Sequence, residues 1–180
     1  AININKAIVG NESIKEIAFF SEEIGVLSGC DYDEEDIKKR YKNRGLDYNE
    51  PKKIIVKAST LNSILSNLEL KNNTIDILSI DVEGFELEVL KGLNLNKNKI
   101  NLFIIEANTQ SEKDSILNFF KPYKEYLYMG DNYQNLFFMR EEVILRKNLR
   151  NLDFINYIKA KQTHPIDEKF SLDGAPGIFI

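Results

Sequence analysis

The chain has 180 residues, 43% of them apolar and 29% charged, with a formal net charge of −4. That balance suits a soluble globular domain with a sizeable core, and the absence of a Lys/Arg stripe alternating with aromatics argues against a nucleic-acid groove. The single cysteine, Cys30, rules out an internal disulfide or multi-cysteine metal site, and a zinc site or Ser-His-Asp triad would have to be built around the single histidine, His164.

No apolar run approaches the ~20 residues that cross a bilayer, and no signal-peptide pattern opens the chain. The expectation is therefore no membrane partner and a cytoplasmic, reducing compartment. The opening AININKAIVG predicts a strand ending near Ala7 and Ile8, with Gly10 and Asn11 turning the chain. Residues 14–20 are β-leaning and return antiparallel, and residues 21–31 read as a loop. DEEDIKKRYKNR, residues 33–44, has acids in its first turn, bases in its last and Gly45 as a stop, the charge order a helix dipole favours. Nearly all polar apart from Ile37 and Tyr41, it reads as an exposed helix or a cover.

Residues 52–59 predict a strand, and Thr60 an N-cap for a helix over residues 61–70. A strand over residues 75–80 follows, then a helix over residues 84–91 that buries Leu87 and Leu90 and stops at Gly92. Next come a strand over residues 100–105 and a helix over residues 111–123, with Ile116, Leu117 and Phe120 on its apolar face. EYLYMG and QNLFFMR predict a hairpin around Gly130, Asp131 and Asn132. Another helix is expected over residues 148–161, then a loop-rich end. The alternation of strands and helices argues for a parallel, helix-flanked sheet with an antiparallel edge.

Open α/β sheets bind ligands at the carboxyl ends of their strands. There the chain places Asp81 and Glu83 after one strand and Glu106 and Asn108 after the next. With extended backbone, Asp81 and Glu83 project to the same side. Such a rim suits a hard cation such as Mg²⁺, or a carboxylate acting as general base beside others that bind the ligand. Singly, each acid is as well explained by the first turn of a helix; all four together favour function. Asp76, at the opposite end of its strand, reads as structural. His164 reads as solvated, Cys30 as a small packed or half-exposed side chain, and Tyr126, Tyr128, Tyr133, Phe137 and Phe138 as packing.

LSIDVEGFELEVLKG followed by INLFIIEAN resembles the hallmark of the FkbM family of S-adenosylmethionine-dependent methyltransferases, in which an Asp-x-Glu-Gly-x-Glu run precedes a second strand ending in Glu. NKAIVGNESIKEIAFF, VLSGC, KASTLNSIL and NLFFM resemble flanking parts of the same family, so that the likeness covers roughly residues 5–140. The resemblance implies an α/β, Rossmann-like methyltransferase sheet, mostly parallel, with an antiparallel C-terminal hairpin. Residues 1–140 would form the carboxyl-terminal portion of that fold and residues 141–180 a helical, loop-rich extension.

The implied reaction is methyl transfer to a hydroxyl of a sugar, glycan or small metabolite, with S-adenosylmethionine as cofactor and Mg²⁺ admitted by the acids. Asp81, Glu83 and Glu106 would be catalytic; Ala7, Ile8, Asp81 and Val82 would bind the cofactor; Glu83, Glu106 and Asn108 would hold the acceptor. None of the nine glycines falls in a Gly-x-Gly turn. The likeness begins at the family's third strand, so the chain is expected to be part of a longer polypeptide with further domains. Two other classes stay open: a binding or assembly module derived from the fold, and a metal-assisted hydrolase.

Overall fold

The computed structural model describes residues 2–21, 28–30, 33–43, 45–68, 73–132, 134–146, 161–163 and 171–173. It divides into two compact units, one of Ala1–Asn73 and Asp81–Asn98, the other of Thr74–Ile80 and Lys99–Ile180. His164, Tyr133 and nearly all of the helix expected over residues 148–161 lie outside the described residues.

The first unit carries β1 (Ala7–Ile8), β2 (Glu16–Ser21), α1 (Glu34–Asn43), β3 (Lys52–Ser59), α2 (Leu61–Ser66) and α3 (Glu86–Lys91). Its sheet has the order β1-β3-β2. β1 runs parallel to β3, and β2 antiparallel to it with Phe19 opposite Ile54. β3 alternates: Ile54, Val56 and Ala58 are at least partly covered, while Lys53, Ile55 and Lys57 are exposed, the period-2 signature of a sheet with one solvated face. The buried side chains include Val9, Leu65, Val89, Leu90, Leu93 and Leu95.

Helix α1 keeps an exposed polar side, as its composition predicts, but buries Ile37 and Tyr41, against which Tyr48 packs edge-on. Gly45 (φ +67°) ends it: the Gly45 N–H donates to the Lys42 carbonyl and the Leu46 N–H to that of Tyr41, a Schellman closure that needs the left-handed conformation. Thr60 caps α2 by accepting from the Ser63 N–H at 3.1 Å.

Gly92 follows α3 as expected but not in the left-handed conformation of a glycine stop; its φ is −80°. Its role is close approach, because a Cβ there would lie 2.4 Å from the Val9 carbonyl oxygen. Gly92→Ala is therefore expected to cost about 1–3 kcal/mol, the scale of overpacking a filled site. Urea unfolding checks this, and an unchanged midpoint would contradict it.

The second unit carries β4 (Thr74–Ile80), β5 (Lys99–Glu106), α4 (Gln110–Phe120), β6 (Tyr126–Asn132), β7 (Asn135–Arg140), α5 (Glu141–Arg146) and a short antiparallel pair, β8 (Lys161–Thr163) with β9 (Ser171–Asp173). Its main sheet has the order β4-β5-β7-β6. β4 and β5 are parallel neighbours with Ile80 opposite Ile105, so the two strands finish level. β7 runs antiparallel to both β5 and β6. Phe103, Phe120, Tyr126 and Phe138 form the aromatic core, with Phe120 stacked on Phe138 at 4.0 Å. The Tyr126 hydroxyl accepts from the buried Ile100 N–H.

Three expectations need correction. The fold is α/β as expected, but the main sheet within each unit is mixed rather than mostly parallel, because only β1–β3 and β4–β5 pair parallel. Short connections close antiparallel pairs directly, whereas parallel ones need a crossover. The hairpin turn falls after Asn132, which pairs with Asn135, and Gly130 (φ +108°) instead sits at a register shift within β6. The chain end holds the β8–β9 pair where the end of a helix and then loop were expected. Among the described residues no helix is long and apolar enough to cross a membrane.

Candidate functional site

A cavity of the first unit, about 460 Å³, is lined by Ala7 and Ile8 of β1, Phe19 of β2, Ile54 and Val56 of β3, the segment Ser28, Gly29 and Cys30, and the run Asp81, Val82, Glu83 and Phe85. The covered faces of the sheet strands supply an apolar wall. The segment around Gly29 is tied to the sheet by reciprocal backbone bonds with Phe20, at 2.9 and 3.1 Å. Burial pushes the Cys30 thiol above its ordinary range. The sequence reading of Cys30 as half-exposed holds, but nothing in the sequence signalled its place on a cavity wall.

The acidic run does not continue as extended backbone. Glu83 (φ +54°) and Gly84 (φ +98°) are both left-handed, so the assumption that aligned Asp81 and Glu83 fails. For a non-glycine residue that conformation costs roughly 1–2 kcal/mol, so something must hold the turn. Glu86 does: its Oε1 accepts from the Val82 N–H at 3.0 Å and the Gly84 N–H at 3.2 Å, with the residue only 2% exposed. The Arg40 guanidinium of α1 lies 3.7 Å from the Glu83 carboxylate, a partly exposed pair worth little by itself. Asp81 is exposed.

Glu86 is the residue that the sequence reading passed over. It is the last member of the quoted Asp-x-Glu-Gly-x-Glu run, and an acid two residues past a turn glycine is placed to accept from the turn's N–H groups. The helix it opens starts at Glu86 rather than Gly84 and buries Val89 and Leu90, while Leu87 is only partly covered.

Of the residues singled out, Ala7, Ile8, Asp81, Val82 and Glu83 share this cavity. Glu106 and Asn108 belong to the second unit. Glu106 ends β5 opposite Asn135 of β7, partly covered. Asn108 is exposed and held locally: its side-chain oxygen accepts from Gln134, and its N–H donates to Glu112 at 2.7 Å. Glu112 also closes a capping box with Thr109 at the start of α4. Asp76 accepts from the Asn101 side chain at 2.9 Å, in keeping with its structural reading.

Neither the curated proteins nor the solved structures give a match to this chain. The sequence pattern of the methyltransferase FkbM domain, however, matches residues 3–165. Those residues include β1, the cavity wall and the whole acidic turn, and the chain belongs to the FkbM methyltransferase domain family.

Proposed function

We propose that this protein is an S-adenosylmethionine-dependent O-methyltransferase, working in the cytoplasm on a hydroxyl of a sugar, glycan or small metabolite. The observation that carries this reading is the single cavity in which Ala7, Ile8, Asp81, Val82 and Glu83 meet. Its volume of about 460 Å³ falls within the roughly 300–1,000 Å³ common for small-molecule sites. Phe19, Ile54 and Val56 offer apolar surface to a purine, and the carboxylates of Asp81 and Glu83 suit an ammonium or sulfonium charge. The donor set thus fits the cofactor that is general in the family, while the family match lends Mg²⁺ no support.

When bound, S-adenosylmethionine supplies a methyl carbon attached to a positively charged sulfur. The work left to the chain is alignment and proton handling. With the cofactor bound, Asp81 would take the proton that the acceptor hydroxyl loses, the carbon–sulfur bond breaking as the oxygen–carbon bond forms. Glu83, beside the Arg40 guanidinium, binds and orients. The acceptor-binding roles of Glu106 and Asn108 belong to the same proposal and rest on the family pattern in the sequence.

Cys30 provides the test, since it lines the cavity and reports its occupancy. Its raised pKa means that the thiolate, the reactive form, is scarcer at neutral pH than in an unhindered cysteine. Iodoacetamide labelling is therefore expected to rise with pH along a curve displaced to higher pH than that of a free thiol. Saturating S-adenosylmethionine is expected to slow labelling at every pH. Equal rates with and without the cofactor, together with no heat of binding by calorimetry, would reject this function.

A further inference from the structure

We propose that the Phe85 ring is the platform on which the methyl acceptor lies, and that the acceptor is a pyranose sugar; this rests on the reading of the cavity as the methyl-transfer site. Phe85 holds the N-cap position of α3, yet its side chain makes no cap hydrogen bond. N-cap positions favour Ser, Thr, Asp or Asn, whose oxygens accept from the first N–H groups of the helix. Thr60 and Thr109 do this ahead of α2 and α4. The backbone at Phe85 is held on both sides all the same: Glu86 clamps the turn before it, and the Phe85 carbonyl accepts from the Val89 N–H at 3.1 Å. Departures from a local rule concentrate at functional sites.

Most of the described aromatic rings are used by the fold itself. Those of the second unit's core pack on one another, Tyr41 meets Tyr48, and the Lys53 ammonium lies over Phe20. Phe19 and Phe85 are different: neither ring meets another described ring or a described cation. Both are half-buried, and both line the same cavity. Phe19 belongs to the sheet wall, opposite Ile54, which offers its apolar surface to the purine. Phe85 belongs to the turn that begins with Asp81, so the ring that accompanies the proton acceptor falls to the substrate.

A pyranose fits that pairing. The C–H bonds on one face of its ring carry partly positive hydrogens, which are drawn to the negative face of a benzene ring. Its hydroxyls lie around the edge, where the Asp81 and Glu83 carboxylates accept hydrogen bonds. One of those hydroxyls is the oxygen that is methylated.

The probes are the methyl glycosides of glucose, galactose, mannose, fucose and rhamnose, followed by saturation-transfer NMR with the whole protein. At least one is expected to bind saturably, with the C–H protons of one ring face taking up the most saturation. Phe85→Leu is expected to weaken that binding by about fivefold or more, the scale of losing one ring contact, and Phe85→Tyr to bind as the parent does. The melting curve of Phe85→Leu is expected to stay with the parent's, because the side chain caps nothing. Its calorimetric affinity for S-adenosylmethionine is expected to be unchanged.

No binding by any of the glycosides, or binding undiminished in Phe85→Leu, would overturn the proposal. Phe85-dependent binding of catechol with none of the glycosides would replace the sugar by an aromatic acceptor. Weaker S-adenosylmethionine binding in a folded Phe85→Leu would assign the ring to the cofactor instead. Glycoside binding that needs Phe85, with no S-adenosylmethionine binding by the parent, would overturn the methyltransferase reading and leave the sugar platform standing.

Discussion

Glu86→Ala is expected to lower the melting temperature by roughly 5–15 °C and to abolish activity with it. The carboxylate is buried and accepts from two backbone N–H groups of the 81–85 turn. Removing it strands both donors, at about 1–3 kcal/mol each, while the left-handed strain at Glu83 is left without its clamp. For a chain of this size a few kcal/mol corresponds to a shift of that order. Glu86→Gln keeps an oxygen acceptor of the same reach and is expected to lose less than half as much. A melting curve for Glu86→Ala that overlays the parent's would mean that the turn is held by other means.

The second large effect is chemical. Asp81→Ala is expected to reduce methyl transfer by about 10²–10⁴-fold, the range for removing a general base, with a stability change within roughly 0.5 kcal/mol because the side chain is exposed. Asp81→Asn, which keeps the shape and loses the proton-accepting charge, is expected to fall nearly as far. The contrast with Glu86 is diagnostic: one acid is expected to fail in turnover, the other in stability. Undiminished turnover in Asp81→Ala would remove the proposed base.

Much of this was legible because local physics dominates where it was read. Thr60 ahead of an apolar i, i+3, i+4 pattern gave the cap of α2, and the opposed charge order with Gly45 located α1 and its closure. The runs at residues 75–80 and 100–105 became the parallel pair β4–β5. Illegible were features set by partners distant in sequence. Nothing near Gly92 announces the Val9 carbonyl that denies it a side chain, and Cys30 has no neighbour that marks a cavity wall. The direction of pairing failed for the same reason: strand patterns state which faces are covered, not which strand lies alongside. Within the candidate site, Asp81 and Glu83 line one cavity, but the backbone between them departs from the extended form that strand patterning implies. Glu83 and Gly84 are left-handed there.

The division of the chain bears on how it is made. The polypeptide passes between units at 73/74, 80/81 and 98/99, so neither unit is a continuous stretch. During synthesis the amino-terminal unit lacks its last helix until residues 86–91 have left the ribosome, by which time β4 is already waiting for β5. Early chains therefore expose an unmatched β4 edge, the kind of surface that invites aggregation, and no single proteolytic cut separates the two units intact.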